Sequence, residues 1–340
     1  MKKIVTFGEI MLRLQTPGYK RFKQAQELEM TFGGGEANVA VSLAGYGMDA
    51  KFVTKIPSNG MGDACVAELK KYDVDTSEIV RGGDRLGIYF VEKGASQRAS
   101  TVLYDRAHSA IAEAKSGDFD WKKIFDGADW FHFTGITPAL SDDCAALCLE
   151  ACKAAKDAGV QVSCDLNFRK KLWTSEKAGK VMGDLMGYVD VLIANEEDAE
   201  KVFGISASGT DITSGQISDA GYQDVAKQLV DKFGVKKVAI TLRESISASV
   251  NNWAAMLYDG KDFYKSKKYN INIVDRVGGG DSFGGGLIYA LLSDYSMQDT
   301  IEFAVAASCL KHTIEGDFNL MSVGEVTALA GGDGSGRVQR

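Results

Sequence analysis

Short apolar runs alternate with helix-length amphipathic segments over most of this chain, and that alternation narrows its fold more than any other feature. Residues 3–9 read as a buried strand, and 35–47 as a helix carrying Val39, Val41 and Leu43. A strand at 51–56 and an amphipathic helix at 63–72 follow. The order continues with strand 130–134, helix 142–158, strand 160–166, helix 178–188, strand 189–194, helix 219–233 and strand 237–242. Two helices, 282–292 and 299–314, close it. A strand running parallel to its predecessor needs a crossover connection, usually a helix. Repeated βα units therefore predict an α/β domain whose mainly parallel sheet is covered on both faces.

Two stretches break the rhythm. Residues 24–32 and 86–104 alternate polar and apolar side chains with no helix between, and the second reads as a hairpin of 87–92 and 100–104. Period-two strands inserted between βα units predict a small accessory sheet, suited to be a lid or a dimer contact. The lid strands are expected within about 12–32 and 85–108 of a domain covering 1–330, before a mobile Gly-rich tail at 331–340.

Composition removes several classes of function. A net charge of -7 argues against a nucleic-acid surface. No apolar run approaches the roughly 20 residues of a membrane span, and Met1-Lys2-Lys3-Ile4-Val5 does not read as a signal peptide, so a cytoplasmic protein with no membrane contact is expected. Cys144, Cys148 and Cys152 recur every fourth residue, forming one helix stripe. That reads as core, because free cysteine behaves as a small hydrophobe and no second cysteine pair exists to complete a zinc site.

The run Asp275-Arg276-Val277-Gly278-Gly279-Gly280-Asp281-Ser282-Phe283 carries the clearest chemistry. Glycines let backbone N–H groups turn inward around an anion, and a helix starting at Ser282 adds unpaired donors and the positive end of its dipole. A carboxylate at the mouth of an anion site suits a general base taking a proton from a hydroxyl during phosphoryl transfer. The plainer alternative makes Asp281 an N-cap. Open parallel sheets bind ligands at the carboxyl ends of their strands. Three strand ends here carry polar runs: Asp165-Leu166-Asn167-Phe168-Arg169, Asn195-Glu196-Glu197-Asp198 and Thr241-Leu242-Arg243-Glu244-Ser245. Earlier, Gly33-Gly34-Gly35-Glu36-Ala37-Asn38 opens a helix after a candidate lid strand, outside the βαβ context of a dinucleotide fingerprint. No Walker-type Gly-Lys-Ser/Thr loop is present.

The early Gly33 to Asn38 motif, the late Asp275 to Asp281 motif, their order and spacing, the lid strands and Asp165-x-Asn167-x-Arg169 resemble the ribokinase-like, or PfkB, carbohydrate kinases over roughly residues 1–330. The late motif of that family usually reads Asp-Thr-x-Gly-Ala-Gly-Asp; here Arg276 and Gly279 replace the Thr and Ala. The Gly-Gly-Gly-Asp-Ser-Phe variant, Leu103-Tyr104-Asp105-Arg106 and the segment from Lys311 to Asp317 are similar to its sugar-acid branch, the 2-keto-3-deoxygluconate kinases.

The resemblance implies a three-layer α/β/α domain with a β-sheet lid, and ATP-dependent phosphorylation of a primary hydroxyl. It implies Asp281 as general base and the N–H groups of Gly278, Gly279 and Gly280 as the anion hole. Gly34, Gly35, Asn38, Tyr89, Tyr104, Arg106 and Arg169 would hold the substrate. Asn167, Asn195, Thr241, Arg243, Glu244 and Ser245 would face ATP. Glu196 or Asp198 would orient hydrated Mg²⁺, and a structural monovalent cation is a further expectation. The family's Asn-x-x-Glu is Asn195…Asp198 here, and its Thr-x-Gly-x-x-Gly nucleotide turn is Thr241-Leu242-Arg243-Glu244-Ser245-Ile246, with both glycines missing.

Arg106 at a lid strand end and Arg169 at a main-sheet strand end argue separately for an anionic substrate. Guanidinium binds carboxylate in a bidentate manner that a neutral sugar does not need. The alternative has Arg106 paired with a lid carboxylate such as Asp105. Kinases of neutral sugars or nucleosides, and a non-catalytic sugar-acid sensor, are the competing readings of the whole chain. A homodimer or higher oligomer through the lid sheet is the expected assembly.

Overall fold

The computed structural model describes residues 1–207 and 219–336. Its large sheet runs, edge to edge, Phe263–Lys265, Val250–Tyr258, Lys237–Ser245, Val191–Ala194, Gln161–Asp165, Trp130–Thr134, Lys3–Phe7 and Asp49–Val53, with Tyr269–Asn272 also paired to Val250–Tyr258. From Lys237–Ser245 to Asp49–Val53 every neighbouring pair is parallel. The expected βα alternation is present, and each inner strand is apolar on both sides. Ile4 and Trp130 pack in one core layer, while Val5, Phe7, Phe131 and Phe133 pack in the other. Helices Asp142–Asp157, Ser175–Met186 and Asp219–Phe233 cover one face; Gly35–Gly45, Gly279–Leu292 and Met297–Lys311 cover the other. The six cysteines are free and buried, as the helix stripe predicts. Among the described residues no helix is long and apolar enough to cross a membrane.

The edge beyond Lys237–Ser245 departs from the sequence reading. Val250–Tyr258, Phe263–Lys265 and Tyr269–Asn272 are antiparallel additions, and the strand expected at 237–242 continues to Ser245. The stretch from Thr241 to Ser245 is therefore ladder, not turn: Thr241 pairs with Ala255 and Ser245 with Asn251. Lacking both family glycines, the segment has no residue suited to turn early.

The accessory sheet has four strands in the order Glu29–Gly33, Met11–Gln15, Gly87–Glu92 and Thr101–Asp105. Met11–Gln15 supplies one of the two central strands, which the 24–32 pattern did not show. Its register separates two faces. Thr31, Arg13, Tyr89 and Tyr104 form one cross-strand row, and Met30, Leu14, Phe90 and Leu103 form the next. Successive residues of a strand point to opposite faces, so the polar row and the apolar row look in opposite directions.

Candidate active site

Helix Gly35–Gly45 starts where the early glycine motif leaves strand Glu29–Gly33. A Cβ on Gly34 would lie 2.0 Å from the Glu9 carbonyl oxygen, so the two backbones meet only because that side chain is absent. The Gly34 N–H donates to Asn38 Oδ1 at 3.2 Å, which leaves the amide nitrogen to donate to Asp281 Oδ2 at 2.7 Å. Two motifs 243 residues apart are thereby joined through one side chain. Behind them the buried Glu36 carboxylate accepts from Thr134 N at 3.0 Å and from the hydroxyls of Thr134 and Thr137, each at 2.7 Å. Burial pushes the Glu36 carboxyl up to about 7 against those hydrogen bonds.

Helix Gly279–Leu292 begins three residues earlier than expected. Gly278 is its N-cap, left-handed at φ 83, and a Cβ there would sit 1.9 Å from the Asp317 carbonyl oxygen. No side chain caps this terminus; the Gly279 N–H donates to the Arg276 carbonyl at 3.4 Å, and an uncapped first turn of this kind suits an anion. Asp281 lies inside the first turn and is not the cap, which removes the plainer alternative. Burial, with the Asp317 charge, raises its carboxyl to about 6; Asn38, Arg169 and Lys311 pull the other way.

The small sheet closes the same cleft from the side. Arg13 reaches across to pair with both Asp275 and Asp317 and also bonds Gln15. The Tyr89 hydroxyl donates to the other oxygen of Asp317 at 2.6 Å. Tyr104 stacks on Tyr89 with ring centroids 6.1 Å apart, and the Arg106 guanidinium lies 5.3 Å from the Tyr104 centroid. Arg106 pairs with buried Glu9, through Nε at 2.8 Å and through Nη2, while Asp105 is taken by Arg85. The alternative partner for Arg106 was thus the wrong carboxylate.

At the main strand ends, Asn167 is left-handed at φ 40, and its N–H donates to Asp165 Oδ1 at 3.1 Å. Asn195 caps helix Glu196–Phe203 by accepting from Asp198 N at 2.7 Å, and its amide donates back to the Asp198 carboxylate at 3.0 Å. Asp198 also accepts from Phe168 N at 3.2 Å. Burial, and then the charges of Asp198 and Asp281, hold the Asp165 carboxyl well above its usual range, with Arg169 opposing. Asp165, Asp198, Asp281 and Arg169 therefore share one electrostatic neighbourhood. Among the described residues Arg169 spends only Nη1, on the Phe168 carbonyl at 3.1 Å. The Glu196 side chain lies outside the described residues. Thr241 and Arg243 extend along the next strand, whereas Glu244 is committed to Lys268 and Asn252 on an exposed edge.

Arg13, Glu36 and Glu9 were not singled out from the sequence. The available signal for Arg13 was a lone charge between two leucines of a short strand, Met-Leu-Arg-Leu-Gln.

The arrangement places an uncapped helix terminus, a half-buried carboxylate of raised pKa and a free arginine around one cleft. Such a cleft can hold a phosphoryl group against a hydroxyl and remove that hydroxyl's proton.

Comparison with known proteins gives the same picture. The pfkB family carbohydrate kinase pattern matches residues 1–321. The crystal structure of 2-dehydro-3-deoxygluconokinase from Thermotoga maritima is 55% identical, with a TM-score of 0.94 over 97% of this chain and 98% of that one. A 2-dehydro-3-deoxygalactonokinase of Haloferax volcanii is 31% identical over 97% of this chain and 98% of its own length. A 2-dehydro-3-deoxygluconokinase of Bacillus subtilis is 26% identical over 93% of this chain and 91% of its own.

Proposed function

Because the chain belongs to the pfkB family of carbohydrate kinases, we propose that it transfers the γ-phosphoryl of ATP to the terminal hydroxyl of 2-keto-3-deoxygluconate, giving 2-keto-3-deoxy-6-phosphogluconate. The observation that carries this reading is the Asn38–Asp281 hydrogen bond, which sets a raised-pKa carboxylate beside an uncapped helix terminus.

In this reading Asp281 accepts the hydroxyl proton as the new P–O bond forms, with Asn38 fixing its orientation. The N–H groups of Gly278, Gly279 and Gly280 receive the charge that spreads over the equatorial oxygens. Arg169, free of any ion pair among the described residues, takes the sugar carboxylate from the main sheet. Arg106 approaches from the small sheet with Glu9 fixing its fork. Tyr89, Tyr104, Gly34 and Gly35 complete the sugar side; Asn167, Asn195, Thr241 and Arg243 line the nucleotide side. The small sheet acts as a lid that excludes water.

Mg²⁺ would accompany the nucleotide and neutralise phosphate charge. Crowded Asp165 and Asp198 suit a cation nearby, with Asp198 acting through water. A structural monovalent cation fits less well: the buried carboxylates of Asp275 and Asp317 beside the glycine loop are already held by Arg13. The apolar row of Met30, Leu14, Phe90 and Leu103, with Met30 53% and Leu103 48% exposed, supports a homodimer through the lid. Six free thiols suit a reducing cytoplasm.

The test is ADP release with 2-keto-3-deoxygluconate, its galactonate epimer, fructose, ribose and adenosine. Turnover confined to sugar acids is the expected result. Turnover with a neutral sugar would keep the base and remove the carboxylate pocket, and silence throughout would favour a sensor. The Haloferax relative's name makes the galactonate epimer the second reading.

A further inference from the structure

On the nucleotide side of the glycine loop, hydrogen-bond donors gather without acceptors. Nε and Nη2 of Arg276 are buried and have no partner among the described residues. Arg243, exposed near the end of strand Lys237–Ser245, forms no ion pair there, whereas its neighbour Glu244 pairs with Lys268. Trp253 stands opposite Arg243 in the ladder, and its indole N–H is also buried and unpartnered. The Trp253 ring packs on His312 with centroids 5.4 Å apart, and that imidazole fills the space a Cβ of Gly279 would take. His312 is held to about 4 by burial first, then by the charges of Lys311, Arg276 and Arg243, so it is neutral and supplies no counter-charge. Desolvation lowers the Arg276 pKa, repulsion from Arg243 lowers it further, and only Asp275 opposes.

Two guanidiniums that repel each other, with buried N–H groups left unpaired, are an unfavourable arrangement for the ligand-free chain. A polyanion reverses every part of it, since each unpaired donor gains a charged acceptor. The two arginines also occupy two of the places where this chain departs from the family pattern. Arg276 replaces the threonine before the glycine loop, and Arg243 replaces the first glycine of the nucleotide turn. The strand that continues through Thr241 to Ser245 forgoes the open N–H groups of such a turn, and the guanidiniums supply donors in their place. The charges that act most on Asp281 are Asp317, Arg169 and Lys311, and neither arginine of this pair is among them.

We propose that Arg243 and Arg276 form a seat for the α- and β-phosphates of the donor nucleotide, so that the donor is chosen by its phosphate chain more than by its base. The inference rests on the kinase reading. Inorganic tripolyphosphate carries the phosphate chain with no base, and its binding needs no turnover. By calorimetry it should bind the full chain and weaken at least tenfold in Arg243→Met and in Arg276→Met, with Arg276→Lys recovering part of the loss. In the steady state, either Met variant should raise the KM for ATP about tenfold or more while the sugar-acid KM stays within about twofold. Wild-type kcat/KM for ATP and GTP should agree within about fivefold. Equal tripolyphosphate binding by wild type and Arg243→Met would overturn the seat; because Arg243 is exposed, that variant decides the matter even where Arg276→Met does not fold. A preference for ATP over GTP beyond about fiftyfold would overturn selection by phosphate. Arginine-dependent tripolyphosphate binding in a chain that phosphorylates no sugar acid would keep the seat and end the kinase reading alone.

Discussion

Arg13 and Arg276 both stand beside Asp275, and they are satisfied in opposite ways. Arg13 has Asp275, Asp317 and Gln15 around one buried guanidinium. Burial disfavours its charge, but the two carboxylates outweigh that and raise its pKa above the ordinary arginine value. Arg276 has two buried nitrogens with no partner among the described residues and another arginine for a neighbour. The side of the cleft proposed for the sugar is thus tied together before any ligand arrives, while the side proposed for the nucleotide is left for a ligand to complete. A closed network resists removal of one member, because the remaining charges are stranded in the interior. An open one loses affinity for its ligand and little of its fold.

The largest effect should come at the border between the two sides. Asp281→Asn keeps the shape and removes the base, and kcat should fall about 10³-fold while calorimetric ATP binding persists. A loss smaller than about tenfold would move the base elsewhere. On the closed side, Arg13→Met should cost about 3–5 kcal/mol in denaturant unfolding, since it strands Asp275 and Asp317. Arg243→Met, on the open side, should stay within about 0.5 kcal/mol of wild type. Equal costs for the two would erase the difference between the closed and open sides.

Arg169→Ala should raise the sugar-acid KM by about 10- to 100-fold and leave the KM for ATP nearly unchanged; an unaltered sugar-acid KM would take Arg169 out of the carboxylate site. The raised Asp281 pKa sets the acid limb of the rate. A base works deprotonated, so kcat/KM should fall as pH drops through about 6 rather than through the ordinary aspartate range near 4. A profile flat down to pH 5 would mean that burial is not controlling this group. Glu36 gives the smallest effect. Its folded pKa, about 7, lies above its unfolded value, so its contribution to stability is complete below the unfolded pKa and declines as pH rises through 7. Glu36→Gln should flatten the fall in melting temperature between about pH 4.5 and pH 7 by a few degrees, on the order of 2 °C per kcal/mol.

The parallel core was legible because its strands are apolar on both faces and its helices amphipathic, a pattern that survives in any window of the chain. The antiparallel strands Val250–Tyr258 and Tyr269–Asn272 were not, since Asn, Trp and Ala in the first and Asn and Ile in the second give no clean period. The start of helix Gly279–Leu292 was misplaced at Ser282 because glycine weakens any helix signal, and only its left-handed cap at Gly278 shows where the turn begins. Asn38, Asp281, Arg169 and Tyr104 stood out by motif, and Tyr89 came only with the family resemblance. Arg13 did not, because nothing local says that a strand near the N-terminus will meet Asp275 and Asp317.

By itself the sequence determined the α/β class, the two glycine motifs, the strand-end polar runs and the accessory strands, all features encoded by spacing within some tens of residues. Tertiary structure decided which charges are paired. Arg106 belongs to Glu9 and not Asp105, Arg13 has two carboxylates, and Arg276 has two donors idle among the described residues. Pairing depends on which side chains meet across the fold and on how much water is removed when they do, and neither quantity is carried by the order of residues along the chain.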